Sequence, residues 1–225
     1  SNELDYGRKL YLIENCIYGV DIQPIAVQIA KLRFFISLIV DQKKQPEKNN
    51  LGIRSLPNLE TKFVAANTLI GLDKPQTGGQ ISFKNPEIER LEEELKALRH
   101  QYFNARTRRE KLACQRKDRD LRKKISNLLE KDGWNKDSAS QVAAFDPYDQ
   151  NASSPFFDPE WMFGLRDGFD VVLGNPPYKI LTRNNTTAFE LEYFTKKYKS
   201  IKSSYSKNLF TLFIENAIGL LSRAA

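Results

Sequence analysis

Ile17-Tyr-Gly-Val-Asp-Ile-Gln-Pro-Ile-Ala-Val-Gln-Ile-Ala-Lys-Leu-Arg33 is the stretch from which the fold is read. An apolar, β-favouring run reaching back toward Leu10 closes on the carboxylate of Asp21, and Pro24 stands where the first turn of a helix accepts a proline. The pattern predicts a strand, a short loop and a helix over residues 25–40. Apolar residues occupy nearly every face of that helix, among them Ile25, Val27, Ile29, Leu32, Phe34, Ile36 and Leu38. Such a helix is expected to be buried against a sheet and a further neighbour.

Working outward, residues 41–60 read as a polar connection, and Lys62-Phe-Val-Ala-Ala66 as a second short strand leading into Asn67-Thr-Leu-Ile-Gly71. Strand, helix, strand predicts an α/β chain built on a mostly parallel, Rossmann-like sheet. Residues 71–86, with Gly78-Gly79, read as a loop. From residue 87 charged helix formers take over, and Ile88, Leu91, Leu95, Leu98 and Tyr102 recur at spacings of three and four. This predicts a helical hairpin or coiled-coil arm inserted in the sheet unit. Arg99, Arg106, Arg108, Arg109, Lys111, Arg116, Lys117, Arg119, Arg122, Lys123 and Lys124 make the arm basic. Such a stripe is either a solvated helix face or a set of phosphate contacts.

Residues 133–155 read as a loop, Phe156, Phe157, Trp161 and Phe163 as core, and Phe169-Asp-Val-Val-Leu-Gly174 as a third buried strand. A polar connection follows over 179–187, then a largely apolar helix over 209–221. The implied organisation is a sheet unit in two parts, 3–85 and 133–225, interrupted by a helical insertion over 86–132.

Bulk chemistry narrows the function. Lys and Arg number 35 against 28 Asp and Glu, a net charge of +7, which favours a polyanionic partner. His100 is the single histidine, so a histidine metal site or a Ser/His/Asp triad is excluded and no metal site is predicted. Cys16 and Cys114 are isolated from one another, which argues against a disulfide scaffold and for a reducing cytoplasm. No apolar run reaches the roughly 18 residues that span a bilayer, so no membrane role is expected. Glu94 and Lys96 have one spacing used by nucleases, but they sit in the heptad-like helix and read as an ion-pairing face.

The segment that carries chemistry is Asn175-Pro-Pro-Tyr178, delivered by the third strand to the carboxyl edge of the sheet, where open α/β folds bind ligands. Two successive prolines remove two N–H donors and stiffen the backbone, leaving a cradle of acceptors. An exocyclic aromatic amine suits such a cradle. The Asn175 side-chain oxygen and the Pro176 carbonyl would each accept one N–H, pushing the nitrogen toward sp3 and aiming its lone pair at a methyl donor without any strong base. Tyr178 would offer a ring on which an extruded base stacks, worth about 1 to 3 kcal/mol.

On three stretches the chain resembles the N6-adenine DNA methyltransferases of the gamma motif order, especially those of single-chain type IIG restriction–modification enzymes and BREX phage-defence systems. These are the opening stretch 17–33, Ala66-Asn-Thr-Leu-Ile-Gly71, and Phe157-Asp-Pro-Glu-Trp-Met-Phe163 through Tyr178. The resemblance implies S-adenosylmethionine as cofactor and double-stranded DNA with a flipped adenine as partner. Residue by residue, it implies that Asp21 holds the cofactor ribose, that Ile22 packs on its adenine, and that Asn67 with Thr68 lines the adenine site. Many relatives carry Asp at the position of Asn67. Asn175, Pro176, Pro177 and Tyr178 are then the reaction site, and Lys179, Arg183, Arg106, Arg108 and Arg109 candidate DNA contacts. The family's Gly-rich loop is expected upstream and its target-recognition region downstream, so the chain reads as part of a longer enzyme. Two alternatives stay open: a methyltransferase acting on RNA or a protein glutamine nitrogen, and a non-catalytic fragment that binds DNA or protein.

Overall fold

The computed structural model describes residues 2–75, 85–182, 184–203 and 208–222. Most of the loop read at 71–86, and Arg183, fall outside the described residues. The chain opens with helix α1, Asn2–Asn15, so the strand expected to reach back to Leu10 is confined to β1, Gly19–Asp21. Tyr6, Leu10 and Ile13, three and four apart, share one helical face, and Tyr6 and Ile13 are buried with Leu38 and Phe103. That face decides for helix over strand.

β1 pairs in parallel with β2, Phe63–Ala65, in the register Gly19↔Phe63, Val20↔Val64, Asp21↔Ala65. A Cβ at Gly19 would stand 2.4 Å from Phe63 Cδ1, so only glycine admits this pairing. The crossover is α2, Pro24–Val40, which turns Val27, Lys31 and Leu38 inward and sets Phe34 against Phe63, ring centroids 4.7 Å apart and planes tilted by 38°. Its other face departs from the expected all-round burial: Ile25, Ile29, Leu32, Ile36 and Ile39 are 44% to 64% exposed. Two strands about 5 Å apart cover only one side of a helix. Residues 153–155 run beside β2, where Ser154 N donates to Ala65 O at 2.8 Å and Asn67 N donates to Ser154 O at 3.0 Å.

Two long helices follow. α3, Pro86–Asn104, starts on Asn85, whose side chain accepts from Glu87 N, and α4, Arg108–Lys131, starts on a reciprocal Thr107/Glu110 capping box. The apolar spacing lands as read: Ile88, Leu91, Leu95, Leu98 and Tyr102 pack with Cys114, Leu121, Ile125 and Leu129. The same cluster takes in Ala139 and Val142 of α5, Lys136–Ala144, and Trp161 of α6, Pro159–Phe163. α5 occupies a stretch read as loop. Glu94 pairs with Lys117 at 2.8 Å across the two helices.

Not every arginine of the basic stripe faces water. Arg99 and Arg122 are buried on either side of Asp118, which is 0% exposed. Arg99 Nε donates to Asp118 Oδ2 at 2.9 Å, Arg122 Nε to Oδ1 at 2.6 Å, and the Tyr148 hydroxyl to Oδ2 at 3.1 Å. Arg99 Nη1 also donates to the carbonyls of Trp161 and Met162 at 2.7 and 3.0 Å, and Arg122 Nη1 to Ala143 O at 2.7 Å. Burial alone would raise the Asp118 pKa, but the two guanidiniums outweigh it and hold the carboxyl below its ordinary 3.8. The stabilisation from this group is therefore present above pH 3.8 and is lost as the pH falls through the lowered folded value. Asp118→Asn leaves two arginines buried without their counter-charge and is expected to cost about 3 to 5 kcal/mol of stability. Urea unfolding at pH 7 reads this as a lower midpoint, and a loss below about 1 kcal/mol would show that the pair carries no more than a surface bridge.

Candidate active site

The carboxyl ends of β1 and β2 lie side by side. Ala66 N donates to Asp21 O at 2.9 Å, so the register that sets Asp21 beside Ala65 brings Asn67 and Thr68 to the same edge. Asp21 Oδ1 accepts from Gln23 N at 2.8 Å, turning the chain into α2 and leaving Oδ2 without a partner among the described residues. Ile22 beside it is 58% exposed. Asn67 Oδ1 accepts from Leu69 N at 3.1 Å, an equivalent turn on the neighbouring strand. A cavity of about 170 Å³ between α2, β2 and residues 141–156 contains none of the candidate residues.

The route to residues 175–178 begins at α6. Asp158 caps its start through Glu160 N and Trp161 N, and Lys74 Nζ holds the same carboxylate at 2.9 Å. Gly164 ends it in the left-handed conformation, φ 72°. The chain then turns at Gly168, φ 88°, where a Cβ would meet Leu220 O at 2.7 Å. Phe169 N donates to Leu220 O and Phe169 O accepts from Ser222 N, both at 2.9 Å.

Beyond that bridge the expected third strand does not form. Residues 170–174 are irregular, with Val171 69% and Leu173 91% exposed. A β-favouring composition makes a strand only where a neighbour supplies the ladder, and among the described residues Phe169 alone of this run finds one, on Leu221.

Asn175, Pro177 and Tyr178 are exposed and Pro176 is half-buried. Lys179 N donates to Pro177 O at 3.1 Å, a tight three-residue turn centred on Tyr178 that occupies one proline carbonyl. The Pro176 carbonyl and the Asn175 side chain have no partner among the described residues. Tyr178 is 82% exposed and lies flat against Phe210, ring centroids 5.4 Å apart and planes within 14°. Phe210 belongs to α9, Leu209–Leu220, whose N-cap is Asn208.

Sequence reasoning missed what anchors α9. α7, Ala188–Lys197, starts on a Thr187/Glu190 capping box and leads into α8, Ser200–Ser203. The Tyr198 hydroxyl between them donates to Leu69 O at 2.8 Å, while Asn216 Nδ2 of α9 donates to Thr68 O at 3.1 Å. Burial, then Tyr193 and Glu215 nearby, raise the Tyr198 pKa, so this donor keeps its proton.

Of the predicted DNA contacts, Lys179 is exposed and its Nζ donates to Asn185 O at 3.2 Å. Arg106, Arg108 and Arg109 are exposed at the turn between α3 and α4. Asn58 Nδ2 holds that turn through Tyr102 O and Ala105 O, at 2.8 and 2.7 Å, beside the amino end of β2. The structure thus gathers Asp21, Ile22, Asn67 and Thr68 at one sheet edge, joins them to 175–178 through α9, and leaves the three arginines at the other end of the strands.

The chain thus combines a parallel α/β unit, a carboxylate at one strand end and an exposed Asn-Pro-Pro-Tyr loop. The chain belongs to the Eco57I restriction-modification methylase family, whose profile matches residues 15–225. It is also similar to a putative type II restriction enzyme and methyltransferase of Methanocaldococcus jannaschii, 44% identical over 70 residues, which is 31% of this chain. That match spans 6% of the relative's length. No solved structure matches the chain.

The Gly168 turn sets where the chain departs for residues 175–178, so Gly168→Ala is expected to destabilise the protein by about 1 to 3 kcal/mol, the range for strained backbone. Limited proteolysis should then cut faster between residues 165 and 182. An unchanged cutting rate there would show that this turn does not hold the segment.

Proposed function

We propose that this chain is part of an S-adenosylmethionine-dependent methyltransferase that modifies adenine N6 in double-stranded DNA within a restriction–modification or phage-defence enzyme. In this reading β1 and β2 belong to a Rossmann-like sheet, residues 86–132 are an insertion in it, and residues 3–85 and 133–225 are its two parts. The observation that carries the reading is the Asn175–Tyr178 loop, rigid through two prolines, exposed, and with two acceptors left unused.

Asn175 Oδ1 and Pro176 O would take the two N–H bonds of the adenine amine and draw its lone pair out of conjugation with the ring. Pro177 would keep the backbone from donating in return, and the open face of Tyr178 would stack on the flipped base. Asp21 Oδ2 would accept a ribose hydroxyl of the cofactor, with Ile22 against its adenine and Asn67 and Thr68 on the neighbouring strand. An apolar side chain beside a carboxylate with one free oxygen fits a nucleoside. When bound, S-adenosylmethionine supplies an electrophilic methyl group on a sulfonium sulfur. Lys179 next to the loop, Arg183 further along the sequence, and Arg106, Arg108 and Arg109 at the far turn are proposed phosphate contacts.

In the full-length protein, Asn175→Ala should lower methylation of duplex DNA by about a hundredfold, as loss of one preorganised hydrogen-bonding group does. Circular dichroism should stay unchanged. Tritium from labelled donor appearing in ribosomal RNA or protein instead of DNA would replace the substrate assignment, and an Asn175→Ala enzyme with more than half the wild-type rate would overturn the site. Separately, Asp21→Ala should weaken donor binding by about ten- to a hundredfold, the worth of a hydrogen bond to a charged acceptor. Calorimetric titration measures this, and an unchanged Kd would remove Asp21 from the cofactor site.

A further inference from the structure

α9 is fastened to both halves of the proposed site. At its start Leu209 N donates to Lys179 O at 2.8 Å, Ile180 pairs with Asn208 in an antiparallel bridge, and Phe210 covers one face of the Tyr178 ring. From Phe210 to Asn216 the helix rises about 9 Å. There Asn216 holds Thr68 O, and its Oδ1 lies 3.3 Å from the Tyr198 hydroxyl that holds Leu69 O. Between the two attachments Leu212 is 0% exposed, packed with Leu69, Leu181, Phe194, Tyr198 and Ile201. The helix is anchored by core packing, by the two hydrogen bonds of Asn216, and by Glu215, whose carboxylate accepts from Lys199 N and Ser200 N at 2.8 Å each, and it presents Phe210 from a fixed position.

Tyr178 has no such anchor of its own. With 82% of it exposed, its ring orientation is set by the turn at Pro177 and by the flat contact with Phe210. We infer that Phe210 is a positioning residue for the acceptor base: it backs Tyr178 so that the opposite ring face stands as a preset platform for a purine, and α9 fixes the separation of that platform from residues 67–69. This rests on the reading of 175–178 as the acceptor loop. A base arriving on an unbacked tyrosine would have to order the ring at the same time as itself, and misplacement would fall on the rate of transfer.

The test uses the full-length enzyme, S-adenosylmethionine and plasmid DNA from a strain lacking adenine methylation, with N6-methyladenosine counted by mass spectrometry. Phe210→Leu keeps the bulk that packs α9 but removes the ring, and Phe210→Tyr keeps the ring. Phe210→Leu is expected to lower kcat about ten- to a hundredfold, the scale for a misplaced reacting group, with the donor Kd unchanged. Phe210→Tyr should stay within about threefold of wild type, because its ring still stacks.

A Phe210→Leu rate within twofold of wild type overturns the inference, as does equal damage by both substitutions. Loss of donor binding in Phe210→Leu overturns it too, since the ring would then prop the whole unit and not the base. Asn175→Ala run alongside separates the two readings: its inactivity beside an unaffected Phe210→Leu sinks only the role of Phe210, and its full activity sinks the acceptor loop itself.

Discussion

A carboxylate with no access to water holds this chain together. Asp118 sits between Arg99 and Arg122 and accepts from Tyr148, and each arginine spends a remaining N–H on backbone carbonyls of another element. Arg99 takes those of Trp161 and Met162 in α6, so one guanidinium both neutralises a charge from α4 and caps a helix that leads toward residues 175–178. A buried ion network of this kind adds little net stability over apolar packing, because desolvation offsets attraction. Its effect is geometric. Leucines of α3 and α4 would tolerate a slide against Trp161, whereas directed hydrogen bonds at 2.6 to 3.0 Å fix one register between the long helices and α6.

The loop at 175–178 is held from its far end as well. Upstream, among the described residues, its one ladder contact is the Phe169 bridge, followed by exposed, irregular residues, so its position does not come from a strand. Downstream it is bonded to α9 through Lys179 and Ile180, and α9 is bonded to Thr68 directly and reaches Leu69 through the Tyr198 hydroxyl. The proposed acceptor and donor regions therefore communicate through a helix that contains no residue of either. The arginines at the turn of α3 and α4 stand apart from this, fixed by Asn58 near the amino end of β2, and any duplex engaging both must extend along the chain from one strand end to the other.

Much of this was legible in the residues, unevenly and for physical reasons. The spacing of Ile88, Leu91, Leu95, Leu98 and Tyr102 marks a helical face because side-chain direction follows the 3.6-residue period, and that face is the core. Gly19-Val-Asp21 and Phe63-Val-Ala65 were readable as parallel strands because a helix of crossover length separates them. Val171 to Leu173 misled, since β preference records fit to a neighbouring surface and does not say whether that neighbour is there. The inward turn of Arg99 and Arg122 was hidden in a run of like residues, although Asp118 four positions before Arg122 was a usable sign. The Thr187-x-x-Glu190 box was a usable sign of α7 that went unread, as Thr107-x-x-Glu110 was of the start of α4, because no apolar stripe follows it to draw the eye. Asn175–Tyr178 stood out by composition alone, but its partner Phe210 did not, because a contact across 32 positions leaves no local trace.

That last point bears on what residues 175–178 require. Two prolines restrict two backbone torsions and say nothing of where Tyr178 points, so the rigidity written in the motif stops one residue short of the ring. The turn closed by Lys179 N and the stack on Phe210 supply the missing constraint, and both depend on the chain returning antiparallel at Ile180 and Asn208. The motif is thus incomplete as a site without α9. The Tyr178 ring is covered on one face and open on the other, and its distance from the strand edge is set by α9, anchored through Leu212 and Asn216, and not by the exposed segment that carries the motif.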